Sequence, residues 1–192
     1  DPRFSYRLVI RPARPDYRLV AFPLETIPTE AKLNPVTCIL RRGGSDRLRL
    51  VAFRREGFDG AIRVEAADLP PGVTARPALI PPESTSIDLV LQAAPDAPSF
   101  AGSLRIHGWA VVDGKPVGRP ALAAEALFGV SDMQKDSLVT RITENIALAV
   151  DEHFVAPLSL KTPDAPLRMS RRGKLKVPVR LAKQADAKDL DK

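Results

Sequence analysis

The sequence predicts an all-β protein folded as an antiparallel β-sandwich. Short segments in which apolar and polar residues alternate dominate the chain, and a period of two is the pattern of a half-buried strand. The 19 prolines in 192 residues are about twice the usual share of roughly 5%. Proline fixes φ and removes a hydrogen-bond donor, so this proportion disfavours long helices and favours short strands joined by stiff turns.

The central strands indicate which residues face the core. The stretches that begin at Arg47, Ile62 and Ile87 each have one apolar side and one polar or charged side. A shift of one residue would turn every side chain to the other face, so the pattern fixes the register. We predict that Leu48, Leu50, Ile62, Val64, Ile87, Leu89 and Leu91 face inward and that Arg47, Arg49, Arg63, Asp88 and Gln92 face outward.

Turn signals separate these strands. Residues 57–60 read Gly-Phe-Asp-Gly, and residues 69–72 read Leu-Pro-Pro-Gly. The second motif predicts a type II turn, in which Pro71 presets the first central angle and Gly72 supplies the positive φ. Asp113-Gly114 predicts a hairpin. About seven strands over residues 25–130, with turns roughly every 8 to 15 residues, are the rhythm of an immunoglobulin- or fibronectin-like antiparallel β-sandwich.

Two segments are open to interpretation as strand or helix. Residues 121–128 have helical propensity, but they follow Pro120 and lack a cap, and we interpret them as the last strand of the sandwich. Residues 137–150 also fit a helical stripe, through Leu138, Ile142 and Ile146. Their β-branched side chains favour strands.

The flanking segments are predicted to belong to neighbouring modules. Residues 1–24 contain two alternating segments, which we assign to the closing strands of an upstream module, and residues 25–130 form the sandwich. Residues 131–192 are predicted to be a linker and the start of a second, incomplete sandwich. The motif at 171–177 repeats the glycine turn and basic, alternating strand of 41–50. The start at Asp1-Pro2, without an initiator Met or export signal, is interpreted as that of an internal or processed segment.

The turn motifs resemble a known family. Gly57-Phe58-Asp59-Gly60 with the strand that follows it, and then residues 68–75, resemble the bacterial immunoglobulin-like modules that follow pre-peptidase C-terminal domains in large exported proteins. Residues 4–10 and 15–19 look like the closing strands of such a pre-peptidase domain. At residues 182–186, where the family would continue with another glycine-phenylalanine turn, this chain has Ala-Lys-Gln-Ala-Asp.

The resemblance implies an extracellular, cell-surface or periplasmic location. It also implies a non-catalytic structural or spacer module whose partners are neighbouring modules of the same polypeptide. The alternative is a recognition module that binds carbohydrate or another protein. A Trp109 that is exposed beside a histidine or tyrosine on a flat sheet would favour recognition. A Trp109 buried in the core or in an inter-module contact, which is the expectation from its place after Gly108 in a strand, would favour the spacer.

No pattern in the sequence selects a catalytic, cofactor or metal site, and we predict that the protein is not an enzyme. The single cysteine, Cys38, lies in an apolar run and is predicted to be a buried hydrophobic side chain. His107 is predicted to lie on the surface of a strand. His153 follows Asp151 and Glu152, but adjacent residues of an extended chain point to opposite faces, so the three do not converge on a metal.

The net charge of +6 does not predict a nucleic-acid partner. Residues 25–130 hold 12 Lys or Arg against 12 Asp or Glu and are neutral, while residues 1–24 (five against two) and 131–192 (12 against nine) each carry +3. A dispersed excess of this kind is typical of solvated sheet faces rather than of a phosphate-binding stripe. No apolar run approaches the roughly 18 residues of a membrane span.

Overall fold

A computed structural model of the protein describes residues 10–23, 37–127, 139–163 and 166–183. These residues form thirteen strands and no helix, which confirms the all-β prediction. The strands are β1 (Asp16–Pro23), β2 (Cys38–Arg42), β3 (Ser45–Arg55), β4 (Ile62–Ala67), β5 (Val73–Ala75), β6 (Ala78–Ile80), β7 (Ser86–Ala93), β8 (Phe100–Val112), β9 (Lys115–Leu127), β10 (Val139–Thr143), β11 (Ile146–Val155), β12 (Leu158–Lys161) and β13 (Arg180–Lys183).

Eleven of these strands form one continuous network that folds into a sandwich-like arrangement. One part runs in the order β5-β7-β3-β1, and another runs β6-β4-β8-β9. β9, with 13 residues, connects them, because it pairs with β8 and with β1. The second half of β8 pairs with β4 and β9, and its first half pairs with β11, whose other edge carries β2. The second half of β9 pairs with β1 and β10.

The predicted core set faces inward. All its members are fully buried except Ile87, which packs against the core and is partly buried. In the predicted outward set, Arg47, Arg49, Arg63 and Gln92 are exposed, while Asp88 is half-buried between the guanidinium groups of Arg47 and Arg49. The register derived from alternation is therefore confirmed for β3, β4 and β7.

The turns predicted at 69–72 and at 113–114 form, whereas the turn near residues 57–60 is closed earlier, by the N–H of Phe58 donating to the carbonyl of Arg55 at 3.1 Å. The N–H of Val73 donates to the carbonyl of Pro70 at 3.0 Å, and Gly72 has a φ of +75°, as a type II turn requires. Asp113 and Gly114 have φ values of 49° and 75°, and they join Val112 to its partner Lys115. Positive φ at both central residues is the geometry of a tight hairpin whose twist matches that of the strands.

The segments of uncertain type are strands where the structure describes them. Residues 121–127 continue β9, and residues 139–143 and 146–150 lie in β10 and β11. Residues 144 and 145 connect these two strands, and residues 128, 137 and 138 lie outside the described residues. Pairing of β10 with β9, and of β11 with β8 and β2, overrides the helical propensity, because the backbone groups of both strands gain hydrogen-bond partners on neighbouring strands.

Residues 16–23, which were predicted with the rest of residues 1–24 to belong to an upstream module, pair with strands of the sandwich. β1 pairs antiparallel with β3 along its whole length and parallel with β9. Tyr17, Leu19 and Ala21 are fully buried in the same core as β3 and β7. Alternation identified the strand correctly, but alternation carries no information about which sheet a strand joins. Residues 4–9 of the segment predicted at 4–10 lie outside the described residues.

Part of the described chain within residues 131–192 also pairs with the sandwich. Instead of a linker, residues 139–155 supply two strands to the sandwich, and Ile146, Leu148 and Val150 are buried in its core. The turn predicted at 171–173 is present, closed by the N–H of Gly173 donating to the carbonyl of Ser170 at 2.8 Å. The strand predicted at 174–177 is absent, and this part of the chain instead contains the two-stranded ribbon β12–β13.

Candidate functional site

The outer face of the β6-β4-β8-β9 sheet presents a row of four paired residues. Leu79 of β6 lies opposite Arg63 of β4, Arg63 lies opposite Trp109 of β8, and Trp109 lies opposite Gly118 of β9. Directly paired residues point to the same side of a sheet. The neighbours of Trp109 along β8, Gly108 and Ala110, are buried, so this row faces away from the core.

Trp109 is 46% exposed, although a core or inter-module position was expected for it. Its six-membered ring lies over Gly118. A Cβ added at Gly118 would lie 2.7 Å from Cζ3 of Trp109. The same Cβ would lie 3.0 Å from each of the two ring atoms bonded to Cζ3. Nearly equal distances to three consecutive ring atoms mean that the Cα of Gly118 lies under the face of the ring rather than at its edge. One ring face therefore rests on the sheet, and Gly118 leaves the space that this position needs.

Hydrogen-bonding side chains flank the indole. Arg63 lies beside it in the same row, and its guanidinium contacts the carboxylate of Glu65 at 3.3 Å. Glu65 lies opposite His107 in the next row, and His107 is half-buried on the same face as Trp109, as alternation predicted. The guanidinium of Arg63 donates, the carboxylate of Glu65 accepts, and the imidazole of His107 can do either. A flat aromatic surface with polar groups at its side results.

Two aliphatic side chains extend the apolar area. Leu79 is 55% exposed at one end of the row, and Val111, two residues after Trp109 on the same strand, is 65% exposed. Single exposed apolar side chains are ordinary on protein surfaces. Here Val111 follows Trp109 on the same face of β8, and Leu79 lies on the far side of Arg63 in the same row.

A polar cleft lies at the start of β1, and sequence reasoning did not identify it. Its volume is about 290 Å³, and it is lined by Arg11, Arg14, Asp16, Arg55 and Glu56. The guanidinium of Arg11 donates to both carboxylate oxygens of Glu56, with Nη1 2.7 Å from Oε2, and the backbone N–H of Arg14 donates to Oε2 at 2.6 Å. These hydrogen bonds, that from Arg11 first, lower the pKa of Glu56 to about 2. Glu56 thus fastens residues 11–14 to the turn after β3.

The other residues weighed in the sequence are dispersed. Cys38 is fully buried, and burial, together with the nearby carboxylate of Asp46, raises the pKa of its thiol to about 12. His153 is exposed on β11, and its backbone N–H donates to the carboxylate of Asp151 at 2.8 Å. Glu152 instead contacts the guanidinium of Arg42 at 3.4 Å. Within the described ranges, no three His, Cys, Asp or Glu side chains are grouped as a metal ion requires.

Comparison with known proteins does not assign this face. No family model, no curated protein and no solved structure matches the chain. The described residues contain no helix that is long and apolar enough to cross a membrane.

Proposed function

We propose that this chain is a non-catalytic recognition module of an exported, multi-domain bacterial protein, and that it binds carbohydrate at the outer sheet face around Trp109. The observation that carries the proposal is the position of the indole, which rests on Gly118 and is 46% exposed. The place of the module in an exported protein is supported by the resemblance of its turns at 57–60 and 68–75 to bacterial immunoglobulin-like modules.

The chemistry of the face suits a sugar. A pyranose ring has an apolar face of C–H groups, and a flat indole buries that face without needing a deep pocket. The hydroxyl groups at the edge of the sugar need donors and acceptors, which Arg63, Glu65 and His107 supply on the same side of the sheet. Because Arg63 and Glu65 already contact each other, their polar atoms are held close to the indole before a ligand arrives.

A purely structural or spacer role is the second candidate, and the strand order favours it. The order β1-β3-β7-β5 together with β4-β8-β9 is similar to the order of the ABED and CFG sheets in constant-type immunoglobulin domains. Such a module joins its neighbours in a chain without a ligand of its own. The two roles differ in what they require of Trp109, because a spacer needs no occupant on the indole.

Fluorescence separates the candidates, since Trp109 is the only tryptophan in the chain. The protein is titrated with soluble oligosaccharides of β-glucan, xylan, mannan and chitin, and its emission is followed. Carbohydrate binding predicts a blue shift that saturates with one of these series. Gly118→Ala, whose new Cβ displaces the indole, should weaken that binding about tenfold or more. Phe53→Ala, which removes an exposed aromatic ring of β3, should leave the affinity unchanged.

Each other result rejects the carbohydrate proposal in a recognisable way. If none of the four series shifts the emission maximum at any protein concentration, the spacer role is the remaining candidate. An emission maximum that shifts with protein concentration alone, together with a larger mass in light scattering, indicates a protein contact on Leu79, Trp109 and Val111 instead.

A further inference from the structure

The C-terminal part of the described chain differs from the sandwich in both charge and exposure. Residues 157–183 contain eight Lys or Arg and one Asp, a net charge of +7, against +6 for the whole chain. The ion pairs among the described side chains all lie outside this segment. The segment also exposes large apolar side chains, namely Leu158, Leu160, Leu167, Met169, Leu175, Val177, Val179 and Leu181.

In the ribbon β12–β13, three of these exposed apolar side chains lie on one face. Leu160 pairs with Leu181, and Leu158 pairs with Lys183, so these three leucines share a side. Their exposures are 70% for Leu160, 64% for Leu181 and 39% for Leu158. A two-stranded ribbon on its own is at best marginally stable in water, and burial of its apolar face would stabilise it.

Residues 174–181 also combine exposed apolar side chains with cationic side chains. Leu175, Val177 and Val179 alternate with Lys174, Lys176 and Pro178, and all of them are exposed. Alternation of this kind predicts one apolar and one cationic edge along an extended chain. The segment therefore offers leucine and valine side chains beside a concentration of Lys and Arg.

The positive charge of this segment distinguishes between three partners that could cover its apolar side chains: a second copy of the chain, nucleic acid and a lipid surface. A second copy would bring two segments of +7 together, and their repulsion opposes association. Nucleic acid would neutralise the charge but offers little that buries exposed leucines. An anionic lipid surface satisfies both needs, because headgroup phosphates attract Lys and Arg while the boundary of the acyl chains accepts apolar side chains. We propose that residues 157–163 and 166–183 bind the surface of an anionic bilayer, with the leucine side of β12–β13 directed into it.

Sedimentation with vesicles tests the proposal on the whole chain. The expected result is binding to phosphatidylcholine vesicles that contain phosphatidylglycerol, at least about tenfold tighter than to pure phosphatidylcholine and weakened by salt. The double variants Leu160→Ser with Leu181→Ser, and Lys174→Glu with Lys176→Glu, should each lose about tenfold or more. Matched changes on the sandwich, Phe53→Ser with Val90→Ser and Arg76→Glu with Lys115→Glu, should bind like the parent chain.

Emission of Trp109, which lies in β8, and the thermal midpoint check that each variant keeps the sandwich. Three outcomes would overturn the proposal: equal affinity for neutral and anionic vesicles, affinity that is unchanged in both the leucine and the lysine double variants, or a dimer in light scattering that Leu160→Ser with Leu181→Ser dissolves. Binding to duplex DNA without binding to anionic vesicles would likewise exclude a lipid partner. The oligosaccharide titration is independent of all these outcomes, because it reports on another face.

Discussion

The hydroxyl of Tyr17 lies 2.6 Å from the carbonyl oxygen of Gly108 and thereby joins β1 to the middle of β8. The carbonyl of Val117 on β9 lies 2.8 Å from the same hydroxyl. The ring of Tyr17 is fully buried and packs against Phe58, with ring centroids 5.3 Å apart. One side chain from the segment first assigned to another module thus links three strands of the sandwich.

Removal of this hydroxyl should destabilise the sandwich. Tyr17→Phe keeps the ring but removes the one hydroxyl hydrogen that the buried carbonyl of Gly108 and the part-buried carbonyl of Val117 share, a loss of about 1–2 kcal/mol in the free energy of unfolding. The midpoint of urea unfolding at neutral pH measures this loss. A midpoint equal to that of the parent chain would show that the hydroxyl contributes nothing.

The same variant has a signature in alkaline solution. Burial raises the pKa of Tyr17 from 10.0 to about 12. The folded state therefore favours the protonated phenol, and the resulting stability is present below pH 10 and is lost as the pH rises from about 10 to about 12. Parent and Tyr17→Phe unfolding free energies should converge over this interval. Parallel pH profiles for the two proteins would contradict the assignment.

Gly108 is required by the packing of Leu19 under it. A Cβ at Gly108 would lie 2.2 Å from Cδ1 of Leu19 and 3.0 Å from Cγ2 of Ile62. Gly108→Ala should cost about 1–3 kcal/mol through overpacking. Gly102→Ala on the same strand is the matched control, because its new Cβ meets the end of the half-buried Phe100 ring, which can move.

A double-mutant cycle tests this cause directly. Leu19→Ala alone should cost about 2–5 kcal/mol as a cavity change. Combined with Gly108→Ala, it provides room for the added methyl group, so the double variant should be more stable than the sum of the two changes by about 1 kcal/mol or more. Strict additivity would mean that Gly108→Ala acts through the backbone and not through Leu19.

Local patterns in the sequence predicted the strands of this fold well, and their limits are physical. Alternation around Leu48, Leu89 and Ile62 specified which faces are buried, because a strand with one buried side has a single acceptable register. The membership of β1 and β11 in the same sandwich depends on pairing with strands that are distant in sequence, such as β9 and β8. No window of neighbouring residues contains that information.

The candidate sites were less predictable. Trp109 was identified, but its exposure depends on Gly118, nine positions away on the next strand. The basic segment could have been found in the sequence by a narrower window. Counting over residues 131–192 dilutes it, since eight of the 12 cations but only one of the nine acidic residues of that range lie in 157–183.

Gly72 should tolerate no side chain. Its φ of +75° disfavours residues with a Cβ, and a Cβ there would lie 2.9 Å from both Cα and Cβ of Ala97. Gly72→Val should therefore cost about 2–4 kcal/mol. Gly114→Val is the control for backbone strain alone, because Gly114 has the same φ and nothing within 4 Å of its Cβ position. It should cost about 1–2 kcal/mol.

The contact with Ala97 also changes the expectation for asparagine. Asn tolerates a positive φ, so strain alone would make Gly72→Asn mild. The backbone of Ala97 cannot yield as a flexible side chain would, and Gly72→Asn should come close to Gly72→Val in urea midpoint. An asparagine variant as stable as the parent chain would show that the turn and Ala97 separate easily.

The contact between Glu56 and Arg11 should make residues 11–14 sensitive to acid. Hydrogen bonds from Arg11 and from the N–H of Arg14 lower the pKa of Glu56 from 4.5 to about 2. The folded state favours the carboxylate, so this contribution to stability is present above pH 4.5 and is lost as the pH falls from about 4.5 to about 2. Titration of the Glu56 carboxyl carbon by NMR should give a midpoint near 2. The change Arg11→Met should return it toward 4.5, while Arg63→Met, remote from this cleft, should leave it in place. A Glu56 midpoint near 4.5 in the parent chain would mean that residues 11–14 are not held at the turn after β3.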